Sequence, residues 1–175
     1  MINTPDITFR PIQLVDAPLL FAWRQKPHVA AWWNVAPYEA GTYEEVEEEI
    51  REDLELGGHD SFLILFDGQP IGYGQTYNAG DASGDWWPDE DESTSGLDLL
   101  IGEESLTGRG LGPLVVCAIC DQLFADPKVQ SIIADPNPDN LRSIRCFEKA
   151  GFLIERHMET PDGQALLMRL CRESN

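Results

Sequence analysis

Thr107-Gly108-Arg109-Gly110-Leu111-Gly112 stands between an apolar run, Gly96 to Ile101 (GLDLLI), and a helical pattern from about Pro113 to Phe124. Glycines let backbone approach a ligand closely and adopt positive φ. A helix start with free N–H groups and a favourable dipole suits a pyrophosphate, and Arg109 adds positive charge. Taken alone, the segment is also compatible with a simple tight turn. It is not a Walker loop, because no Lys-Ser/Thr pair follows. It is a poor dinucleotide fingerprint, because the chain before it reads as a meander rather than a βαβ start.

Outward from that loop, the elements follow from periodicity and punctuation. Ile7 to Ile12 alternates as a strand. Asp16 can cap a helix reaching about Gln25, with Leu19, Leu20 and Trp23 on one side. Thr42 with Glu45 forms a capping box. It opens a helix whose apolar side is Val46, Ile50 and Leu54, ending at Gly57-Gly58. Ser61 to Phe66 and Pro70 to Tyr77 are strands joined at Asp67-Gly68, a two-residue hairpin signal. Asn78 to Ser95 reads as a long loop, a length that is often functional. Beyond the Gly segment, Pro113 suits a first helical turn and Asp126-Pro127 ends the helix. Gln130 to Ala134 is a short strand. Asp139 or Asn140 starts a helix with Leu141, Ile144 and Phe147 inward and Gly151 as its cap. Phe152 to Met158 and Ala165 to Cys171 are strands around a Thr160-Pro161-Asp162-Gly163 turn. The order is β-α-α-β-β-β-α-β-α-β-β, an α/β (α+β) class with a mixed sheet. No repeat or linker divides residues 1–175, so one domain is expected.

The 175 residues carry 31 acidic against 12 basic side chains, a formal net charge of −19. That field repels phosphate backbones and anionic lipid, so nucleic-acid and membrane partners are not expected. It attracts polycations. No apolar stretch approaches the roughly 20 residues of a membrane span, and the N-terminus lacks a signal peptide's basic start and apolar centre, so a cytoplasmic protein is expected. Between Arg51 and Arg109 there is no Lys or Arg, while 14 acidic residues occur. The helix rich in glutamate reads as a solvated face. The stretch Asp81 to Glu92 is harder to read that way, because Trp86 and Trp87 lie in it. Cys117 and Cys120, three apart in a helical pattern, lack a second ligand pair and read as buried thiols. His28, His59 and His157 form no metal cluster, and no metal is expected.

The Gly segment and Asn140 to Phe152 (NLRSIRCFEKAGF) together resemble the GNAT superfamily of N-acetyltransferases. WWNVAPYEA, GQPIGYGQTY, GDWWPDED, GLDLL, TGRGLG, LFADPKV, DPNPDNLRSIRCFEKAGF and TPDGQALLM, in order, narrow the resemblance to aminoglycoside 6'-N-acetyltransferases. Siderophore-type lysine N-acyltransferases share the early Trp-Trp and the general plan.

The resemblance implies acetyl-CoA as co-substrate and a cationic aminoglycoside acceptor, with direct transfer to its 6'-amine, as in antibiotic resistance. It implies that Gly108, Arg109, Gly110, Leu111 and Gly112 bind the pyrophosphate. Leu99, Leu100, Ile101, Asn140 and Phe147 would line the rest of the acetyl-CoA site, with the thioester near Leu99 to Ile101 and Gln130 to Ala134. Asp98 occupies the place of the acid that receives the acceptor ammonium's proton. Its other reading is a strand-edge carboxylate satisfied by turn amides, but it interrupts an apolar run where an unpaired charge is costly. Asp135 and Asp162 match acceptor-contacting acids; otherwise each is turn or cap chemistry. Trp86 and Trp87 would form an apolar wall that attracts cations. Asp85, Glu90 and Glu92 would add negative potential. Of Trp32 and Trp33 one is core and the other lines the cleft, and Trp33 is taken as the acceptor contact.

Phe147 departs from the family pattern, standing where many members carry a tyrosine able to protonate the departing thiolate. A monomer or homodimer is expected. The competing readings are a siderophore lysine acyltransferase, a protein N-terminal acetyltransferase and a non-catalytic module that sequesters cations.

Overall fold

The computed structural model describes residues 6–33, 41–81 and 86–173. Among the described residues, seven strands and five α-helices follow one another along the chain. They are β1 (Ile7–Pro11), α1 (Ala17–Arg24), α2 (Pro27–Trp33), α3 (Tyr43–Leu56), β2 (Asp60–Phe66), β3 (Gln69–Asn78) and β4 (Thr94–Ile101). Then come α4 (Leu111–Leu123), β5 (Ser131–Ala134), α5 (Leu141–Lys149), β6 (Leu153–Thr160) and β7 (Gly163–Cys171). The strands lie in the order β1-β2-β3-β4-β5-β7-β6. β4 and β5 run parallel, whereas β1–β2, β5–β7 and β6–β7 are antiparallel. The α/β class with a mixed sheet is therefore as the sequence predicts, with α2 as an additional helix.

The chain folds into two compact units. Among the described residues, the first comprises 6–33, 41–75 and 99–109, and the second 76–81, 86–98 and 110–173. In the first, α1 to α3 cover an apolar core of Leu20, Trp23, Val46, Ile50, Leu63, Tyr73 and Leu100. The capping box forms as expected: the Glu45 amide donates to Thr42 Oγ1 at 3.2 Å, and the Thr42 amide to Glu45 Oε2 at 2.6 Å. Val46 and Ile50 are buried, but Leu54 is 56% exposed, because the last turn of α3 runs past the core. Asp67 (φ 49°) and Gly68 (φ 74°) make the β2–β3 turn in the left-handed conformation that suits a two-residue hairpin. Asp16 does not cap α1 through its side chain. Its carboxylate instead takes both Arg10 guanidinium nitrogens, at 2.8 and 3.0 Å, and the Gln13 amide.

In the second unit, α5 buries Ile144 and Phe147 as its spacing predicts, while Leu141 is 57% exposed in the first turn. Asn140 is the N-cap, accepting the Ser143 amide at 3.1 Å. Gly151, at φ 97°, follows the helix C-terminus. α4 begins at Leu111, earlier than the expected Pro113, and so takes Gly112 into its first turn. β4 and β5 pair only through Thr94–Ser131, Ser95–Ile132 and Gly96–Ile133. β4 then continues to Ile101. Of the stretch Gln130 to Ala134 expected to lie near the thioester, Ser131 to Ile133 thus lie in the paired part. Among the described residues, no helix is long and apolar enough to cross a membrane.

Candidate active site

Three carboxylates in the second unit share one electrostatic neighbourhood. Asp98 lies on β4, Asp135 follows β5, and Asp162 sits in the Pro161-Asp162 turn between β6 and β7. The Asp135 carboxyl is pushed well above the usual carboxylate range, first by burial and then by the charges of Asp98 and Asp162. Asp98 and Asp135 are half-buried and Asp162 is exposed, and like charges brought close together resist ionising together.

The sequence reading passed over Tyr77, on β3. A methyl group placed on Gly96 would lie 2.1 Å from the Tyr77 ring, so this glycine makes room for the phenol. Burial, then the Asp98 and Asp135 charges, raise the phenol's pKa, opposed by a hydrogen bond from the Trp87 indole. Tyr77 thus stands among both acids and the Trp pair. The available signal was an aromatic residue on a strand neighbouring a strand glycine.

The Trp pair divides its work. Trp87 is 5% exposed and packs with Ala79, Ile133 and Leu167, while Trp86 is half-buried at the edge of that cluster. Trp87 is therefore a core residue as well as Tyr77's partner, and it is Trp86 that remains for the apolar wall expected of the pair. Asp85 lies outside the described residues. Glu90 does not add free negative potential: Arg169 grips it through both terminal nitrogens, at 2.5 and 3.0 Å, and lowers its pKa. Glu92 is exposed. In the first unit, Trp33 is the member of its pair that packs on the core, edge-on to Tyr73 at 5.8 Å, while Trp32 is 42% exposed. The expected division of those two is thereby reversed in packing.

The Gly segment has the local shape that anion binding needs. Gly108 and Gly110 have φ of 73° and 81°, and a Cβ on either would meet nothing within 4 Å. Gly110 is the N-cap of α4 and has no side chain with which to satisfy the first amides. Gly112 faces Cys146, whose Sγ would lie 2.9 Å from an added Cβ. Arg109 is exposed and Leu111 buried. These features fit a pyrophosphate group, which would take the uncapped amides and the Arg109 charge. Leu99 and Ile101 are half-buried on β4 and Leu100 is buried. Asn140 spends its side chain as a cap, and the Phe147 ring is buried edge-on to Phe152 at 5.1 Å. In this structure Phe147 packs, and it has no proton to donate.

All four cysteines are free thiols. Cys120 is buried, Cys117 and Cys146 are half-buried, and Cys171 is exposed. Among the described residues, no group of three His, Cys, Asp or Glu side chains is placed to hold a metal ion.

A family model described as an acetyltransferase (GNAT) domain matches residues 13–160. The chain belongs to the GNAT acetyltransferase family. It is 35% identical over 173 residues to the aminoglycoside N(6')-acetyltransferase type 1 of Klebsiella pneumoniae, covering 98% of this chain and 86% of that GNAT relative. A solved structure of AAC(6')-Ib with ribostamycin and coenzyme A aligns with a TM-score of 0.89 at 37% identity, covering 95% of this chain and 94% of the other. The lysine N-acyltransferase MbtK of Mycobacterium tuberculosis is 31% identical over 84% of this chain and 69% of its own.

Proposed function

We propose that this GNAT protein transfers the acetyl group of acetyl-CoA to the 6'-amine of aminoglycosides. The observation that carries the reading is the carboxylate set Asp98, Asp135 and Asp162 in one field, with Tyr77 among two of them and hydrogen-bonded by Trp87. Its support is near-full-length similarity to an aminoglycoside N(6')-acetyltransferase, which exceeds the similarity to the lysine acyltransferase in both identity and coverage.

An acceptor ammonium must lose its proton before its nitrogen can attack a carbonyl carbon. Asp98 accepts that proton, directly or through a water. Asp135 and Asp162 hold the acceptor's remaining ammonium groups, and Trp86 supplies an apolar face against a sugar ring. Acetyl-CoA supplies the acetyl group as a thioester. Gly108 to Gly112 grip its pyrophosphate through backbone amides. Phe147 supplies no proton, so the leaving sulfur is protonated by water or another donor.

The test is release of the CoA thiol with a small aminoglycoside panel, combined with mass spectrometry of the products. One acetyl group added to compounds bearing a 6'-amine, and none to those lacking it, is the expected result. Turnover with a lysine side chain instead, and none with any amino sugar, would move the assignment to the acyltransferase reading.

A further inference from the structure

Trp86 and Trp87 sit in the middle of the long connection between β3 and β4, and what holds that part in shape lies far away in sequence. The indole of Trp87 packs on Ile133 and Leu167. Two residues along β7 is Arg169, which is registered directly opposite Ile133. In a strand, residues two apart share a face. Arg169 therefore stands in the next row of the face that carries Trp87. Its guanidinium holds Glu90 through both terminal nitrogens, at 2.5 and 3.0 Å. Its Nε donates to Glu155 at 2.6 Å, and Nη1 also donates to Ser131 Oγ at 3.0 Å. The Glu90 amide in turn donates to the Trp87 carbonyl at 3.1 Å. Glu90 is thus tied to Trp87 by backbone and to the sheet by charge.

This contact differs from a surface ion pair. The side chains of Glu90 and Arg169 are 8% and 20% exposed, and the pairing is the two-pronged arrangement that fixes direction as well as distance. The neighbouring Arg156–Asp89 pair, at 3.2 Å and 42% and 72% exposed, has neither property and is expected to contribute little. Both arginines lie far along the chain from the acidic stretch, so the basic residues missing from it are supplied across the fold.

We propose that Arg169 is a positioning residue for the acceptor: by holding Glu90 against the sheet it keeps Trp86 in the shape that the aminoglycoside binds. This rests on the reading of Trp86 as an acceptor contact. Arg169 acts through Glu90 and Trp87 rather than on the reacting atoms. Releasing the segment lowers the fraction of molecules ready to bind, and apparent affinity falls by that same fraction. The bound complex regains the native arrangement, so the chemical step proceeds at its usual rate. The signature is a KM effect confined to one substrate.

The experiment compares the wild type with Arg169→Met/Glu90→Gln, which removes both charges and leaves no buried ion unpaired. Arg169→Lys and Trp86→Ala are the companion variants. Steady-state rates are measured with kanamycin and acetyl-CoA, well below each variant's unfolding temperature. The double variant is expected to raise the kanamycin KM about tenfold, with kcat and the acetyl-CoA KM within about twofold of wild type. Arg169→Lys, which keeps charge but not the fork, should fall between the two. A kanamycin KM unchanged in the double variant, or an acetyl-CoA KM rising in parallel, overturns the proposal. Trp86→Ala must itself raise the kanamycin KM. If it does not, the proposal fails through its premise; if it does while the Arg169 variants remain at wild type, the latch alone is wrong.

Discussion

The Tyr77 ring lies directly against the Cα of Gly96, close enough that a methyl group there would sit 2.1 Å from a ring carbon. Two neighbouring strands thereby hold a phenol among Asp98, Asp135 and Trp87. Gly96→Ala should push the ring away at a cost of about 1–3 kcal/mol, typical of overpacking. Urea denaturation would read the loss of stability. Tyr77→Phe serves as the control, because it keeps the ring and loses only the oxygen that accepts the Trp87 N–H. Equal urea midpoints for wild type and Gly96→Ala would show that the ring is not held there.

Asp98→Asn keeps shape and removes the proton acceptor. Turnover at saturating substrates should fall about 10²–10⁴-fold, the usual contribution of a general base. Acetyl-CoA affinity, read by calorimetry, should stay near wild type. Turnover that stays at the wild-type level sinks Asp98 as the base.

The raised pKa of Asp135 has a consequence for stability. Its folded pKa lies above the unfolded value of 3.8, so between those two points the folded chain holds a proton that the unfolded chain has released. Stability then falls as pH rises through that window. Asp135→Asn removes the titration and should flatten this part of a melting-temperature profile against pH. Parallel profiles for the two proteins would contradict it. A polycationic acceptor should also drive Asp135 to ionise, so binding should release protons. Calorimetry in buffers of different ionisation enthalpy detects that release.

Arg24 is 7% exposed on α1 and grips Glu49 of α3 through contacts of 2.6 and 2.7 Å. Glu49→Gln leaves a buried guanidinium with a weaker partner. The cost should be about 1–3 kcal/mol, moderated because the Glu49 carboxylate is itself 43% exposed. Chemical denaturation checks it, and an unchanged midpoint would mean that water replaces the carboxylate without cost.

What was legible in sequence was whatever neighbours in the chain decide. Thr42 and Glu45 cap a helix because each reaches the other's amide within one turn. Asp67-Gly68 turns a hairpin because those residue types tolerate positive φ. The glycines of Thr107 to Gly112 suggest an anion-binding turn in sequence, and equally a simple tight turn; the structure places Gly108 and Gly110 at positive φ and Gly110 at the start of α4. The helix Pro27–Trp33 escaped notice because a seven-residue segment with apolar residues on several sides shows no clear period. The start of α4 was read late because Gly112 resembles loop, although a first turn tolerates it. Leu54 and Leu141 obey the apolar period, yet each lies in a terminal turn that the core does not reach. Periodicity assigns a face; it does not say where along the helix that face stops being covered.

The carboxylate field, by contrast, belongs to tertiary structure. Asp98, Asp135 and Asp162 come from separate elements, and only the folded sheet makes one of them feel the other two. Glu90 looked like free negative charge because its nearest cation in sequence is distant; Arg169, 79 residues on, answers it. Trp87 was expected in a wall facing the acceptor, but Ile133 and Leu167, on strands formed much later in the chain, bury it. Local backbone preference and hydrophobic period act over a few residues and are written in order. Charge, burial and ring packing act through space, so their outcome was decided only when the strands took their places.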